Sequence, residues 1–440
     1  MNEGNRRAVV LGAGMAGLLA ARALADHHDH VVIVERDQLP DAAGDRPGVA
    51  QGRHAHALLA RGQQLLEAMF PGLTEELAVA GARTGDVLER SRLYFSGHRL
   101  QPATSGLTAI SASRALIEHH VRARVRSQAG IEIIEGCDAT GLATDPGNTR
   151  VTGVRLVRRV DGSAEELLPA DTVVDATGRN SRAPTWLSAL GIGPPTEDRI
   201  LVDVAYATRR YRMGADALDG DLAVINAPTV ENPRAGALGL LEAETGMLTL
   251  AGIGGDRPPL DPDGFEDFAG RLAFPDIADA IRGAEPLDMP VRHRFPASTW
   301  RRYDRLPRLP DGYAVVGDAV CSLDPIYGQG MTIAALQADA LGRHLARRTR
   351  LRPRRYQCEI ARIIRPAWEM AAGADLQFPA VPGRRTRTQR ILAAYVTRLH
   401  AAAAHDPELS RAFMRVSGLV DPPPALLRPR IVTRVLAPRF

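Results

Sequence analysis

One stretch, VVLGAGMAGLLAARALADHHDHVVIVERD from Val9 to Asp37, constrains this chain more than any other. It reads as a short apolar strand, a glycine turn, a helix, a second strand and an acidic end. Gly12, Gly14 and Gly17 have G-x-G-x-x-G spacing. In a βαβ unit the first glycine allows the tight turn, the second lets backbone approach a pyrophosphate, and the third lets helix and strand pack closely. Met15 and Ala16 then open a helix whose N-terminal amides and positive dipole end face an anion. Glu35 closes the second strand, followed by Arg36. A carboxylate there accepts hydrogen bonds from a ribose 2′-OH, which favours FAD or NAD over a 2′-phosphorylated nucleotide.

With 440 residues the chain exceeds one ordinary core and suits interleaved domains. Its 55 basic residues against 51 acidic ones are scattered, so no nucleic-acid partner is expected. All the basic residues are arginine. Without lysine, Schiff-base, pyridoxal-phosphate and P-loop chemistries are excluded. Cys137, Cys321 and Cys358 are too dispersed for a dithiol centre and suit a reducing compartment. The first strand begins almost at once, and no apolar run approaches the roughly eighteen residues that span a bilayer. The expectation is a cytoplasmic protein with no integral membrane association.

Further along, apolar residues at helical spacing from about Ala57 place Arg53, His54 and His56 at a helix entry. Leu93 to Leu100 reads as a hairpin turning at Ser96-Gly97, and Ser113 as the N-cap of the helix that carries Arg114. Ile131–Ile134, Val151–Arg158 and Leu167–Val174 read as strands, residues 200–255 as antiparallel strands, and residues 264–284 as helices. Tyr313–Val316 is a further buried strand, a long helix starts near Gln329, and the chain beyond about 355 is mainly helical.

Two more patterns bear on chemistry. In VVDATGRNSR a buried strand delivers Asp175, then Gly178, Arg179, Ser181 and Arg182, polar and cationic groups at a turn that suits a phosphate. In YAVVGDAVCSLDPIYGQGMTIAALQADAL a strand ends at Gly317-Asp318, a loop carries Pro325 and Tyr327, and Gly328, Gln329, Gly330 and Met331 open a helix. An aspartate at that strand end can accept from ribityl hydroxyls. Amides at the helix start can approach a flavin edge that becomes negative on reduction.

In this order the three patterns resemble the class A flavoprotein monooxygenases, the aromatic hydroxylases with a para-hydroxybenzoate-hydroxylase-like fold, over residues 8–350. The resemblance implies an α/β fold: a Rossmann-like FAD-binding domain, an interleaved antiparallel substrate domain and a C-terminal helical region. The expected division is 1–190 for the first FAD-binding part (with a substrate-domain hairpin near 85–110), 191–295 for the substrate domain, 296–350 for the returning FAD-binding segment and 351–440 for the helical region. Carried over residue by residue, Gly12, Gly14, Met15, Ala16, Gly17, Glu35 and Arg36 hold ADP. Asp175, Gly178 and Arg179 fall on the middle motif, which serves FAD and NAD(P)H, although DATG stands where many members have ADG. Asp318 meets the ribityl chain, Pro325 lies beside the flavin, and Gly328, Gly330 and Met331 meet its pyrimidine edge. Arg114 matches an arginine that reaches the pyrophosphate, with Arg53 a similar candidate.

Within the family, GVAQGRHAHALLARG and DPELSRAFMRVSGLVDPPPALLRPR resemble bacterial polyketide-tailoring flavoproteins, including polyether epoxidases and flavin-dependent decalin-forming cyclases. The implied activity is insertion of one oxygen atom from O2 into a polyketide-like or other natural product, by epoxidation or hydroxylation. Non-covalent FAD is the cofactor, NAD(P)H the transient reductant, and the substrate a small, apolar molecule. The alternative is redox-neutral ring formation of [4+2] type. A flavin halogenase is disfavoured, because that family's catalytic lysine has no counterpart here. Four flavin-adjacent residues, Pro325, Tyr327, His54 and His56, are the candidates for chemistry. The histidines either order their loop or touch substrate, and no metal site is expected.

Overall fold

A computed structural model describes residues 6–348 and 350–437. Five parallel strands form its central sheet, in the order Tyr313–Val315, Thr172–Asp175, Arg7–Leu11, His30–Val34 and Ile131–Ile134. Their sequences are nearly continuous apolar runs because both faces are covered. Ala8, Val9 and Val10 are fully buried, as are Val173, Val174, Ala314 and Val315. The helix Met15–Ala25 packs against the long helix Gly330–Ala346 on this sheet. The first and last of the three sequence patterns thereby become neighbours.

The expected strand Leu167–Val174 is two strands. Glu165–Pro169 runs antiparallel to Val151–Arg158, whereas Thr172–Asp175 joins the parallel sheet. Pro169 has no N–H with which to continue a ladder. Asp171 turns the chain, its carboxylate accepting from the Arg7 amide at 3.0 Å and its own amide donating to the Arg7 carbonyl at 2.9 Å. The third strand of this small antiparallel sheet, Cys137–Thr144, is rich in small polar residues and carries no strong strand pattern. The helix expected from Ala57 begins at Ala60, and residues 57–59 stay extended, with the Leu59 amide donating to Thr332 Oγ1 at 3.2 Å.

A second sheet of seven strands runs Val291–Phe295, Val204–Arg212, Thr245–Gly252, Arg234–Leu241, Ala223–Asn226, Ser91–Phe95 and His98–Arg99. It is antiparallel except where Ala223–Asn226 pairs with Ser91–Phe95. The Ser91–Arg99 hairpin turns at Ser96 and Gly97, both at positive φ, which matches the twist of the strands. Helices Pro262–Gly270 and Asp276–Ile281 bury Phe265, Phe268 and Ile277 against Leu238, Leu248 and Leu250 on one face. Beyond the long helix, Pro353–Asp375 packs Tyr356, Ile360 and Ile364 into the main core. The helices Arg387–Ala403, Pro407–Ser417 and Pro429–Leu436 close over Leu88, Leu93 and Leu100. No described helix is long and apolar enough to cross a membrane.

Candidate functional site

The glycine turn shows one reason for each glycine. Gly12 has φ +95°, and a Cβ there would meet the Ala176 carbonyl at 2.9 Å. A Cβ on Gly17 would meet the Gly12 carbonyl oxygen at 1.8 Å, so Gly17 serves packing and does not line the site. Around Gly14 only the Arg46 guanidinium comes within 4 Å, at 3.7 Å. Its missing side chain therefore leaves open space, next to the first amides of the helix that Met15 and Ala16 begin.

That space belongs to a cavity of about 1090 Å³ between the two sheets, bounded by Gly14, Met15, Ala16, Glu35, Arg36, Arg114, Gly178, Asp318, Pro325, Tyr327, Gly328, Gly330 and Met331. Four separate segments of the sequence, the three patterns and the helix that carries Arg114, thus converge on one volume. Gly178 and Gly328 both have positive φ, and nothing lies within 4 Å of where a Cβ on Gly178 or Gly330 would stand. Asp318 at the strand end carries a carboxylate with no hydrogen-bond partner among the described residues. Burial raises its pKa, opposed by Arg179, Arg114 and Arg301. A partly buried carboxylate without a partner is stabilised by a ligand that donates to it. Ribityl hydroxyls would satisfy it, and the open glycine backbone fits the phosphates, so these residues fit FAD.

Glu35 is buried and already engaged. One oxygen accepts from the Ala13 amide at 2.7 Å and pairs with Arg46 at 3.0 Å, and the other accepts from the Asp37 amide at 3.0 Å. It therefore fixes the glycine turn whether or not it also meets a ribose. Arg46 also pairs with Glu118 at 2.9 Å and Asp37 at 3.5 Å. Nothing local in the loop DAAGDRPG signals that role, because its partners lie up to 72 residues away. Arg53, expected here, is more than half exposed, faces Asp45 at 3.5 Å and does not line the cavity. The basic position on this loop is Arg46. Asp175 likewise does not reach the cavity. It is fully buried, accepting from the Thr177 amide and hydroxyl at 2.9 and 2.6 Å and from Ser181 Oγ at 2.7 Å, and so shapes the turn that presents Gly178 and Arg179. Arg114 follows the expected cap, the Leu116 amide donating to Ser113 Oγ at 3.1 Å, and its guanidinium bonds Glu118 at 3.2 Å.

His54 and His56 both line the cavity. His54 Nδ1 lies 2.8 Å from Thr208 Oγ1, which meets Thr249 Oγ1 at 2.6 Å, so the loop is tied to the floor of the seven-stranded sheet. The rings of Tyr206 and His293 stand 4.7 and 5.6 Å away, and Arg179 reaches His293 at 3.2 Å. Tyr206, Thr208 and His293 carry no motif and come from paired strands that fold over the site. Burial holds His54 down at about 4, and burial with the nearby Arg114 holds His56 down at about 3, so both are neutral at pH 7. His56 Nδ1 lies 2.8 Å from the His54 carbonyl. Among the described residues no three His, Cys, Asp or Glu side chains group as a metal site.

The second sheet and the C-terminal helices add a largely apolar wall of Leu93, Phe95, Ile225, Leu392, Phe413 and Leu426, with Ser96, Asn226 and His400 among its polar members. A second cleft, of about 900 Å³, is lined by Arg36, Arg158, Arg179 and His293 and shares Gly178 and Asp318 with the cavity.

No protein-family model matches the chain. It is 35% identical to protein Rv3254 of Mycobacterium tuberculosis over 94% of this chain and 90% of that one. It is 28% identical to kynurenine 3-monooxygenase of Salinispora arenicola over 76% and 71%. Among solved structures, the flavin-dependent brominase Bmp2 superposes with a TM-score of 0.68 at 16% identity, over 93% of this chain and 92% of that one. The Diels-Alderase PyrE3 superposes with a TM-score of 0.59 at 19% identity, over 94% and 80%.

Proposed function

The chain belongs to the family of Mycobacterium tuberculosis protein Rv3254 and has the class A FAD-dependent monooxygenase fold, and on that footing we propose that it is a FAD-dependent monooxygenase acting on an apolar small molecule. One observation carries the reading. The volume bounded by Gly14, Gly178 and the unpartnered Asp318 is continuous with an apolar chamber closed by the C-terminal helices. Bound there, FAD supplies two-electron redox chemistry and reaction with O2.

The chain's own residues bind, orient and exclude water. Amides at Gly14–Ala16 and the Arg114 guanidinium would hold the phosphates, and Asp318 would accept from the ribityl hydroxyls. The helix start at Gly330-Met331 would offer its amides to negative charge on a bound flavin, an arrangement that stabilises anions best when water is excluded. Arg36, Arg158, Arg159 and Arg179 line the adjoining cleft together with Asp37, Glu135 and Asp318, and NAD(P)H docks there in this reading. The apolar wall selects a polyketide-like or similar natural product for epoxidation or hydroxylation. A second reading, redox-neutral ring closure, is favoured by the enclosed apolar chamber together with the fold likeness to PyrE3. The absence of lysine stands against a halogenase.

Turnover of candidate polyketide intermediates under ¹⁸O2 separates the two. Product that carries one labelled oxygen, with one NAD(P)H consumed, is expected. Anaerobic conversion with no change in mass would replace this reading with ring closure and would leave FAD binding as assigned.

A further inference from the structure

The turn that carries Pro325 holds an acidic feature that cofactor binding does not use. Asp324 and Asp375 are each about 1% exposed. Asp324 Oδ1 caps the turn, accepting from the Ile326 amide at 3.0 Å, and Asp375 Oδ1 accepts from the Tyr327 hydroxyl at 2.6 Å. The remaining oxygen of each, Oδ2, is buried with no hydrogen-bond partner. The two carboxyls lie near enough to interact, and burial together with the Asp324 charge holds the Asp375 carboxyl well above the usual carboxylate range. Among the described residues no arginine or histidine pairs with either carboxylate. Besides Tyr327, Tyr206 on the facing sheet is a titratable group that senses Asp324, Glu369 lies on the helix that ends at Asp375 and lines the same cavity, and Ile326, Leu376 and Phe378 form an apolar cluster with Tyr206. Asp375 is also the last residue of its helix, where the dipole's negative end opposes a second charge. Asp324 and Tyr327 line the cavity.

We propose that Asp324 and Asp375 share one proton at neutral pH and, with Tyr327, form the acid that gives a proton to a ligand oxygen beside Pro325. The proposal rests on the reading of this cavity as the place of oxygen chemistry. The proton leaves the O–H of the pair for that oxygen, both carboxylates are then ionised, and water at the cavity mouth returns a proton. Two adjacent carboxylates in an apolar site resist ionising together, so the second ionisation is raised above the usual carboxylate range and the doubly ionised pair left by donation is short-lived.

Infrared difference spectra of the holoenzyme test this directly. A carboxylic-acid carbonyl band that shifts in D2O is expected at pH 7. It should vanish as the pH is raised to about 9 and be absent from both Asp324→Asn and Asp375→Asn. In parallel, reoxidation by O2 of the dithionite-reduced holoenzyme should slow through the same ionisation in the wild type and lose that dependence in Asp375→Asn. A band that survives in both variants, no band in the wild type, or an unchanged pH profile would overturn the proposal. Should a variant fold poorly, Tyr327→Phe keeps the pair and should shift the wild-type band without removing it; an unmoved band counts against the trio. Loss of FAD with the band retained would instead count against the cofactor reading.

Discussion

Gly14 and Asp318 make opposite demands on a side chain, and each gives a test. At Gly14 any substituent beyond hydrogen enters the space assigned to the pyrophosphate, so Gly14→Val should purify folded but without FAD. Stoichiometric flavin in that variant would confine the motif to a structural role. At Asp318 the carboxylate awaits donors, and Asp318→Ala should weaken FAD binding by roughly 1.5–3 kcal/mol, the usual worth of a hydrogen bond to a charged group. Fluorescence titration of the apoprotein with FAD measures both. His400 is buried against Ser96, Phe95 and Phe413, and burial lowers its pKa to about 4. Its folded pKa lies below its unfolded one, so the unfolded state binds the proton first and stability is lost as pH falls from about 6.5 toward 4. Urea unfolding at pH 7.5 and pH 5 should show His400→Gln losing about 2 kcal/mol less than the wild type over that interval. Equal losses would mean that the ring takes up a proton without cost.

Among the elements, the loop of residues 38–59 joins the second strand to the site through Arg46. Its guanidinium and the three carboxylates it meets are all buried, with no side chain above 9% exposure. Arg46→Met would leave Glu35, Asp37 and Glu118 facing one another, at a cost of about 3–5 kcal/mol for breaking a buried ionic group. A large drop in melting temperature, partly recovered by adding Glu118→Gln, is expected, and a neutral single variant would refute this account. The sequence shows Glu35 at its strand end but not the arginine that holds it, because periodicity reports local geometry and this contact spans the loop. The strand break at Pro169-Ala170-Asp171 is similar: proline was visible, but only the long-range pairing of Asp171 with Arg7 decided that the chain changes sheets there.

Across the whole molecule, the cavity divides into a polar half built from motifs and an apolar half built from elements with no motif. Ile225→Trp should fill the apolar half, leave FAD content stoichiometric and lower ¹⁸O incorporation at least tenfold. If FAD were lost in step, the halves would not be separable. The cofactor half was legible because a nucleotide imposes its demands on a few consecutive residues: glycines where backbone must approach, an acid at a strand end, a helix start aimed at a phosphate. Gly12, Gly14, Gly17, Gly178 and Gly328 stand where those demands put them. The parallel strands and the long helices likewise followed from apolar runs and turn residues, whereas short strands such as Cys137–Thr144 and Ser298–Arg301 did not. Arg53 and Asp175 were misplaced because spacing shows that a residue is near a turn, not which way its side chain leaves it. Tyr206, Thr208, His293 and Asp375 were invisible for a related reason: each belongs to an ordinary strand or helix and gains chemical meaning only where two distant elements pack. Sequence alone determined the glycine-lined half of the cavity, since local backbone geometry suffices to encode it; tertiary packing decided the apolar wall, the buried charge network around Arg46 and the meeting of Asp324 with Asp375, since these exist only as contacts between segments far apart in the chain.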